Sequence, residues 1–272
     1  MYETFFQMEH TPFSRNTPVA DLYESPAMAD TLGRLAYAAD RQLFAVVTAD
    51  AGCGKSTLIR RFVTSLPKEE YLFLYLSDSK LTPRWFYKGM LDQLGIESKF
   101  YRGDAKRQLQ KEVEIIRGVQ KKKVVCILDE AHLLEKETIE EFRFLLNYRF
   151  DSISPMALVL VGQTELWDKL RMQRYAAVRQ RIDINCVLPH LDRAETERYI
   201  LSQLAYAGGR QDIFTDKALD DIYKESTGIP RRVNRICEKS LMYASQQEKR
   251  LIDEHLVRYI IEHEMLGGDT RQ

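Results

Sequence analysis

The run Ala49-Asp50-Ala51-Gly52-Cys53-Gly54-Lys55-Ser56-Thr57 brings a glycine-bearing turn, an ammonium group and two hydroxyls together within nine residues. The apolar stretch Leu43–Thr48 precedes it, and a helical pattern, Lys55–Ser65, begins inside it. Strand, loop and helix in that order suit the grip of a polyphosphate. Glycines let successive N–H groups converge on phosphate oxygens, and the first turn of a helix adds a positive dipole end. On that chemistry Ala49–Thr57 would cradle the phosphates of ATP, Lys55 would bridge the β- and γ-phosphates, and Ser56 would set its hydroxyl on Mg2+. Ala49 stands where the pattern has its first glycine, which costs little if its φ stays negative.

A second group of candidates follows the apolar run Val124–Leu128, which stops at Asp129-Glu130-Ala131-His132. A buried strand ending in two adjacent carboxylates can do metal-assisted hydrolysis. Asp129 would hold Mg2+ through water, and Glu130 would polarise the attacking water as general base. His132 suits a structural or coupling role better than proton shuttling. The run Ala157–Val161 leads to Gly162-Gln163-Thr164, where the Gln163 amide would orient the lytic water or contact the γ-phosphate. Beyond it come Arg179 and Arg181; an arginine at a subunit edge can neutralise charge on a neighbour's γ-phosphate. Arg181 is the first candidate for that role and Arg179 the second. Gly228-Ile229-Pro230-Arg231-Arg232 places Arg231 in the first turn of a helix, from which it would reach back to the phosphates.

Such residues need a rigid frame. Leu43–Thr48, Tyr71–Leu76, Val124–Leu128 and Ala157–Val161 read as buried strands, and Lys55–Ser65, Arg84–Leu94, Ala105–Gln120 and Lys136–Phe150 as helices between them. This alternation predicts an α/β fold with a parallel sheet covered on both faces, its ligand at the carboxyl ends of the strands. From Pro189 onward only helical periods occur: Arg193–Ala207, Thr215–Ser226, Pro230–Gln247 and Asp253–Met265, with Thr215 and Asp253 as N-caps. The expected division is 1–188, a nucleotide-binding domain with its N-terminal segment, and 189–272, a small all-helical lid.

Composition sets limits. The chain has 272 residues, 44% hydrophobic and 29% charged, which is ordinary for a globular protein. Its 40 basic and 40 acidic side chains cancel, so any nucleic-acid contact must come from a local patch. The cysteines Cys53, Cys126, Cys186 and Cys237 lack paired spacing, which suits a reducing cytoplasm and argues against zinc and disulfides. No basic start with an apolar core opens the chain, and the apolar runs fall far short of the ~20 residues of a membrane helix. A soluble, cytoplasmic protein without direct membrane insertion is expected.

In these motifs the chain resembles the ExeA-like branch of the AAA+ ATPases, close to the TniB/TnsC-type ATPases of transposons. The likeness runs over nearly the whole length. It includes Met1-Tyr2-Glu3-Thr4-Phe5-Phe6, Pro12-Phe13, Leu22-Tyr23-Glu24-Ser25-Pro26, the phosphate loop and acid pair (Walker A and B), Val161–Leu166 and Gly228–Asn234. It implies a P-loop AAA+ core, ATP and Mg2+ as cofactors, and Tyr23 near the adenine. A homo-oligomer, ring or helical filament, is implied as well. Two roles follow from the neighbourhood: a helper that assembles on double-stranded DNA and recruits a transposase, or a secretion-system ATPase that works at the inner membrane. The chain carries neither a transmembrane helix nor a cell-wall-binding segment after the lid, which points to the transposition helper. A helicase-loader role is a third alternative. The tetrad Asp129–His132 also occurs in helicases with two tandem nucleotide-binding domains, for which this length leaves no room. In the resembled family, loops such as Ser77–Arg84 face the pore of the oligomer, so Lys80, Thr82 and Arg84 are candidates for phosphate contacts with DNA. Lys121-Lys122-Lys123 is a further basic run.

Overall fold

A computed structural model of the chain describes residues 1–78, 81–146 and 154–265. Among these, the strands are β1 Phe44–Thr48, β2 Tyr71–Leu76, β3 Lys123–Leu128, β4 Ala157–Gly162 and β5 Ile184–Val187. The helices begin with α1 Tyr2–Phe5, α2 Pro26–Arg41, α3 Lys55–Ser65, α4 Pro83–Gln93, α5 Arg102–Gly118 and α6 Lys136–Leu146. They continue with α7 Glu165–Arg171, α8 Ala176–Arg179, α9 Arg193–Tyr206, α10 Asp216–Ser226, α11 Pro230–Gln246 and α12 Glu254–Glu264. The expected helix Lys136–Phe150 thus agrees with α6 as far as Leu146, and its end lies outside the described residues.

The five strands form one parallel sheet in the order β2-β3-β4-β1-β5. Every residue of β1 and β4 is buried, and so is every residue of β3 after Lys123. Strands covered on both faces must be continuously apolar, which is why these three were legible as unbroken Val, Ile, Leu and Ala runs. Edge strands escape that demand. The sequence reading missed β5, whose four residues include Asn185 and only one buried side chain, Cys186. Its place is fixed by pairing with Ala45–Thr48 and by Asp183, whose Oδ2 accepts a hydrogen bond from the Phe44 N–H at 2.8 Å. Helix α2 was also missed, although Pro26 opens it and Met28, Thr31, Leu35, Ala38 and Ala39 line its buried face at helical spacing.

The chain divides into two compact units. One comprises Ala27–Ala51 and Leu58–Leu188 and contains the sheet. Its core packs Leu74, Cys126, Leu128 and Leu158 with Phe86, Tyr87, Met90 and Leu91 of α4 and with Leu109 and Val113 of α5. A buried polar cluster lies within this layer. The Tyr87 hydroxyl donates to Glu141 Oε1 at 2.6 Å, and Lys106 reaches the same oxygen at 3.2 Å. Arg102 approaches the other oxygen at 3.4 Å. Burying a carboxylate is costly unless its lone pairs are used, and here three donors on α4 and α5 satisfy one acceptor on α6. Burial and the Glu141 carboxylate together push the Tyr87 phenol far above its ordinary range.

The other unit comprises Met1–Pro26, Gly52–Thr57 and the chain from Pro189. Its helices start on side-chain caps. Asp192 and Glu195 form a reciprocal capping box on α9, while Thr215 and Asp253 accept from Ala218 N and Leu256 N, as the spacing predicted. The core unites Ile200, Ile222, Val233, Ile236, Leu241 and Ile260 with Tyr2, Phe6 and Phe13 from the N-terminal segment. That segment, grouped with the sheet by the sequence reading, lends its aromatic rings to the helices instead. Gln203 Oε1 accepts from the Phe13 N–H at 3.0 Å, and the Glu9 N–H donates to the Ala207 carbonyl at 2.7 Å. One parallel bridge, Phe214 to Ile252, interrupts the otherwise helical pattern. No helix among the described residues is long and apolar enough to cross a membrane.

Replacing Tyr87 with Phe removes the neutral donor to Glu141 without opening a cavity. We expect a loss of about 1–3 kcal/mol, read as a lower urea midpoint at unchanged slope.

Candidate functional site

Parallel pairing sets the ends of β3, β4 and β1 side by side: Leu128 pairs with Leu160, and Gly162 with Thr48. The ladder runs one step further at each margin. The Ala49 N–H donates to the Gly162 carbonyl at 3.2 Å, and the Asp129 N–H to the Leu76 carbonyl at 2.8 Å. Ala49 is not among the residues with positive φ, which is why alanine can replace the first glycine of the motif.

Asp129 is buried at 8% exposure, and both of its oxygens are used. Oδ1 accepts from the Glu130 N–H at 2.8 Å, and Oδ2 accepts from the Tyr75 hydroxyl at 3.0 Å. Each oxygen keeps lone pairs for a hydrated cation. Burial, and secondarily the Asp129 charge, raise the Tyr75 phenol, so Tyr75 stays protonated and donates. Sequence reasoning missed Tyr75, treating it as one residue of a core strand. Glu130 then turns into the left-handed region (φ 53°, ψ 30°), a conformation that costs a non-glycine residue about 1–2 kcal/mol. The turn ends β3 abruptly and lets Ala131–Leu133 wind into a short 3₁₀ turn.

That turn places His132 against the tip of β4. The Gln163 N–H donates to His132 Nδ1 at 3.3 Å, and the Gln163 side-chain amide lies 3.0 Å from His132 Nε2. Glu130 Oε2 lies 3.6 Å from the same Nε2. Lys169 on α7 donates to the His132 and Leu134 carbonyls at 2.5 and 3.1 Å, holding the turn in place. On the other side of the β4 tip, the Thr164 hydroxyl donates to Asp50 Oδ1 at 3.0 Å. Gln163 thus lies beside Glu130 at the tip of β4, and Asp50 is tied to the following residue, Thr164. The links through His132, Thr164 and Lys169 were not legible, because polar residues after a strand read as an ordinary turn.

In the other unit, the glycine turn of the loop meets the start of α11. Gly52 and Gly54 take φ of 91° and 94°, and the Gly52 carbonyl accepts from the Arg231 N–H at 3.3 Å. A Cβ on Gly52 would come within 2.8 Å of the Arg231 Cβ, so the close approach of these two segments requires glycine. The main chain and Cβ of Arg231 therefore lie against Gly52. Lys55 is buried at 9% exposure and starts α3 together with Ser56 and Thr57, while Cys53 is buried beside them. In the same unit Tyr23 stacks edge-on against Tyr199 with ring centroids 5.7 Å apart.

The remaining candidates sort differently. Arg179 donates from Nη1 to the Leu170 and Arg171 carbonyls at 3.1 and 2.6 Å, so its guanidinium satisfies the end of α7. Arg181, half-buried, follows the end of α8. The Thr82 hydroxyl caps α4 by accepting from the Trp85 N–H at 3.4 Å, and the Arg84 guanidinium lies 4.2 Å over the exposed Phe100 ring. Lys80 lies outside the described residues.

The AAA domain family matches residues 38–170. Cdc6p of Pyrobaculum aerophilum superposes with a TM-score of 0.71 over 95% of this chain and 71% of its own, at 17% identity. The fold is that of a P-loop AAA+ protein. Drosophila ORC bound to DNA shares this AAA+ fold at a TM-score of 0.67 and 14% identity, covering 98% of this chain and 65% of that one. Among curated proteins, general secretion pathway protein A of Aeromonas hydrophila is 32% identical over 90% of this chain and 45% of its own length. The chain therefore spans about half the length of that relative. Likeness to general secretion pathway protein A and to the Cdc6p and ORC folds accords with the AAA+ resemblance, while nothing in it singles out the TniB/TnsC branch.

Gly228 permits a test of the close packing between the chain ahead of α11 and Leu191. Its φ is 74°, and an added Cβ would fall 1.8 Å from the Leu191 carbonyl oxygen. Gly228→Ala should cost about 2–5 kcal/mol in chemical denaturation. Gly95→Ala, at a similar φ of 72° but with open space around it, should cost only about 1 kcal/mol.

Proposed function

We propose that this chain binds ATP with Mg2+ and hydrolyses it, working as a nucleotide-dependent switch in an assembly of copies. The observation that carries the proposal is the Asp129–Glu130 pair: one carboxylate buried and fixed by two donors, the next turned by a left-handed residue toward the tip of β4. A purely structural acidic strand end has no need of either feature. The donor set also fits the cofactor. Mg2+ at nucleotide sites takes one or two protein oxygens and otherwise phosphate and water, which Asp129 and Ser56 can supply. When bound, it neutralises charge on the phosphate oxygens.

In this reading Ala49–Thr57 hold the triphosphate through main-chain N–H groups, and Lys55 bridges the β- and γ-phosphates. Glu130 accepts a proton from the attacking water, and Gln163 orients that water or the γ-phosphate. Arg231 reports the nucleotide state to residues 189–272, which act as a lid. Arg181, with Arg179 as the second candidate, serves a neighbouring copy's γ-phosphate. Turnover then requires a homo-oligomer, in ring or filament form.

For the partner, the reading we favour is assembly on double-stranded DNA, with Thr82, Arg84 and Lys80 as phosphate contacts and a transposase as the recruited protein. The fold likeness to an ORC structure bound to DNA supports the DNA part. A second reading, a secretion-assembly ATPase, is favoured by the 32% identity with general secretion pathway protein A.

ATPase rate measured against protein concentration, with and without duplex DNA, separates these readings. A superlinear rise stimulated by DNA and weakened by salt supports the first. Indifference to DNA, with binding to cell-wall material, supports the second. Lys55→Ala should lower ATP affinity by about a hundredfold or more, and wild-type affinity would remove the phosphate role. Glu130→Gln should retain ATP binding while turnover falls by about a hundredfold or more; unchanged turnover would remove Glu130 as the base.

A further inference from the structure

We propose that His132 is a positioning residue: in the tautomer with Nδ1 bare and Nε2 protonated, it clamps the side-chain amide of Gln163 beside the general base Glu130. The proposal rests on the hydrolytic reading above and adds to it a residue and a defined hydrogen-bond polarity.

The polarity follows from counting donors. A neutral imidazole has one acceptor nitrogen. The main-chain N–H of Gln163 cannot turn away, because the β4 tip is fixed, and it points at Nδ1 from 3.3 Å. Nδ1 is therefore the acceptor, and the ring proton sits on Nε2. The Gln163 side-chain amide faces that proton at 3.0 Å, while Glu130 Oε2, at 3.6 Å, is a neighbour beyond hydrogen-bond length. The Gln163 amide must turn its oxygen to Nε2, since two N–H groups facing each other make no bond. Its NH2 group is then presented away from His132, as a donor for a phosphate oxygen or a water. The ring itself has little freedom, being only 10% exposed, and its main chain is held by Lys169 through the carbonyl of His132 at 2.5 Å. One imidazole thus sets the donor face of the amide beside the base.

Two substitutions split the function of the ring. His132→Gln keeps a donor where Nε2 stood, and His132→Asn keeps only an acceptor where Nδ1 stood. Under conditions where the wild-type chain turns over, His132→Asn should lower kcat about tenfold or more with KM for ATP within about twofold, and His132→Gln should stay within about threefold of wild type. A second readout needs no turnover. In the full chain labelled uniformly with 13C and 15N, the His132 ring resonances, assigned through its own backbone, should report a bare Nδ1 and a protonated Nε2. The opposite tautomer would overturn the proposal, even if both variants failed to fold. So would unchanged kcat in His132→Asn, or equal losses in both variants that track a fall in melting temperature. If the wild-type chain bound no ATP and never hydrolysed it, the hydrolytic reading would fall and the clamp with it. An active wild type with an indifferent His132→Asn would remove the clamp alone.

Discussion

Everything at the candidate site depends on the lateral hydrogen bonding of β3, β4 and β1. Because the three strands are parallel and in register, the chain leaves each of them at the same margin of the sheet. The acid pair from β3 and the amide from β4 then need only a few residues each to converge. The burial of these strands on both faces holds the margin rigid, and rigidity is what a hydrolytic constellation requires.

At that margin the structure concentrates polar groups that a core would otherwise exclude. Asp129 is buried but accepts two hydrogen bonds, one from its neighbour's main chain and one from an edge-strand phenol. Glu130 adopts a backbone that most residues avoid, and the cost is offset by the contacts of the following turn with Lys169 and the β4 tip. A strained residue beside a buried carboxylate is characteristic of function rather than of packing, since neither feature stabilises the fold.

The candidate site stood out in the sequence more than parts of the frame did. Ala49–Thr57, Asp129–Glu130 and Arg231 could be singled out because the proposed chemistry asks for a fixed residue type at a fixed distance from a helix or strand. The central strands were legible because double burial demands unbroken apolar runs. What escaped was set by long-range pairing. β5 is too short and polar to announce itself, and α2 hides in an alanine-rich stretch that only burial distinguishes from a loop. Tyr75 looks like one more strand aromatic until Asp129 arrives beneath it from a residue 54 positions later. The N-terminal aromatics Tyr2, Phe6 and Phe13 carry no local sign that their partners lie beyond Pro189.

The bond between the Arg231 N–H and the Gly52 carbonyl makes the root of α11 part of the phosphate loop. That helix has 17 residues and so extends about 25 Å from its root. Geometry then acts as a lever: a tilt of ~10° imposed at the loop end displaces the far end by ~4 Å, given a rise of ~1.5 Å per residue. A change no larger than the loss of one phosphate at the fulcrum is thereby magnified to the scale of a side chain at the tip, where a neighbouring molecule could feel it.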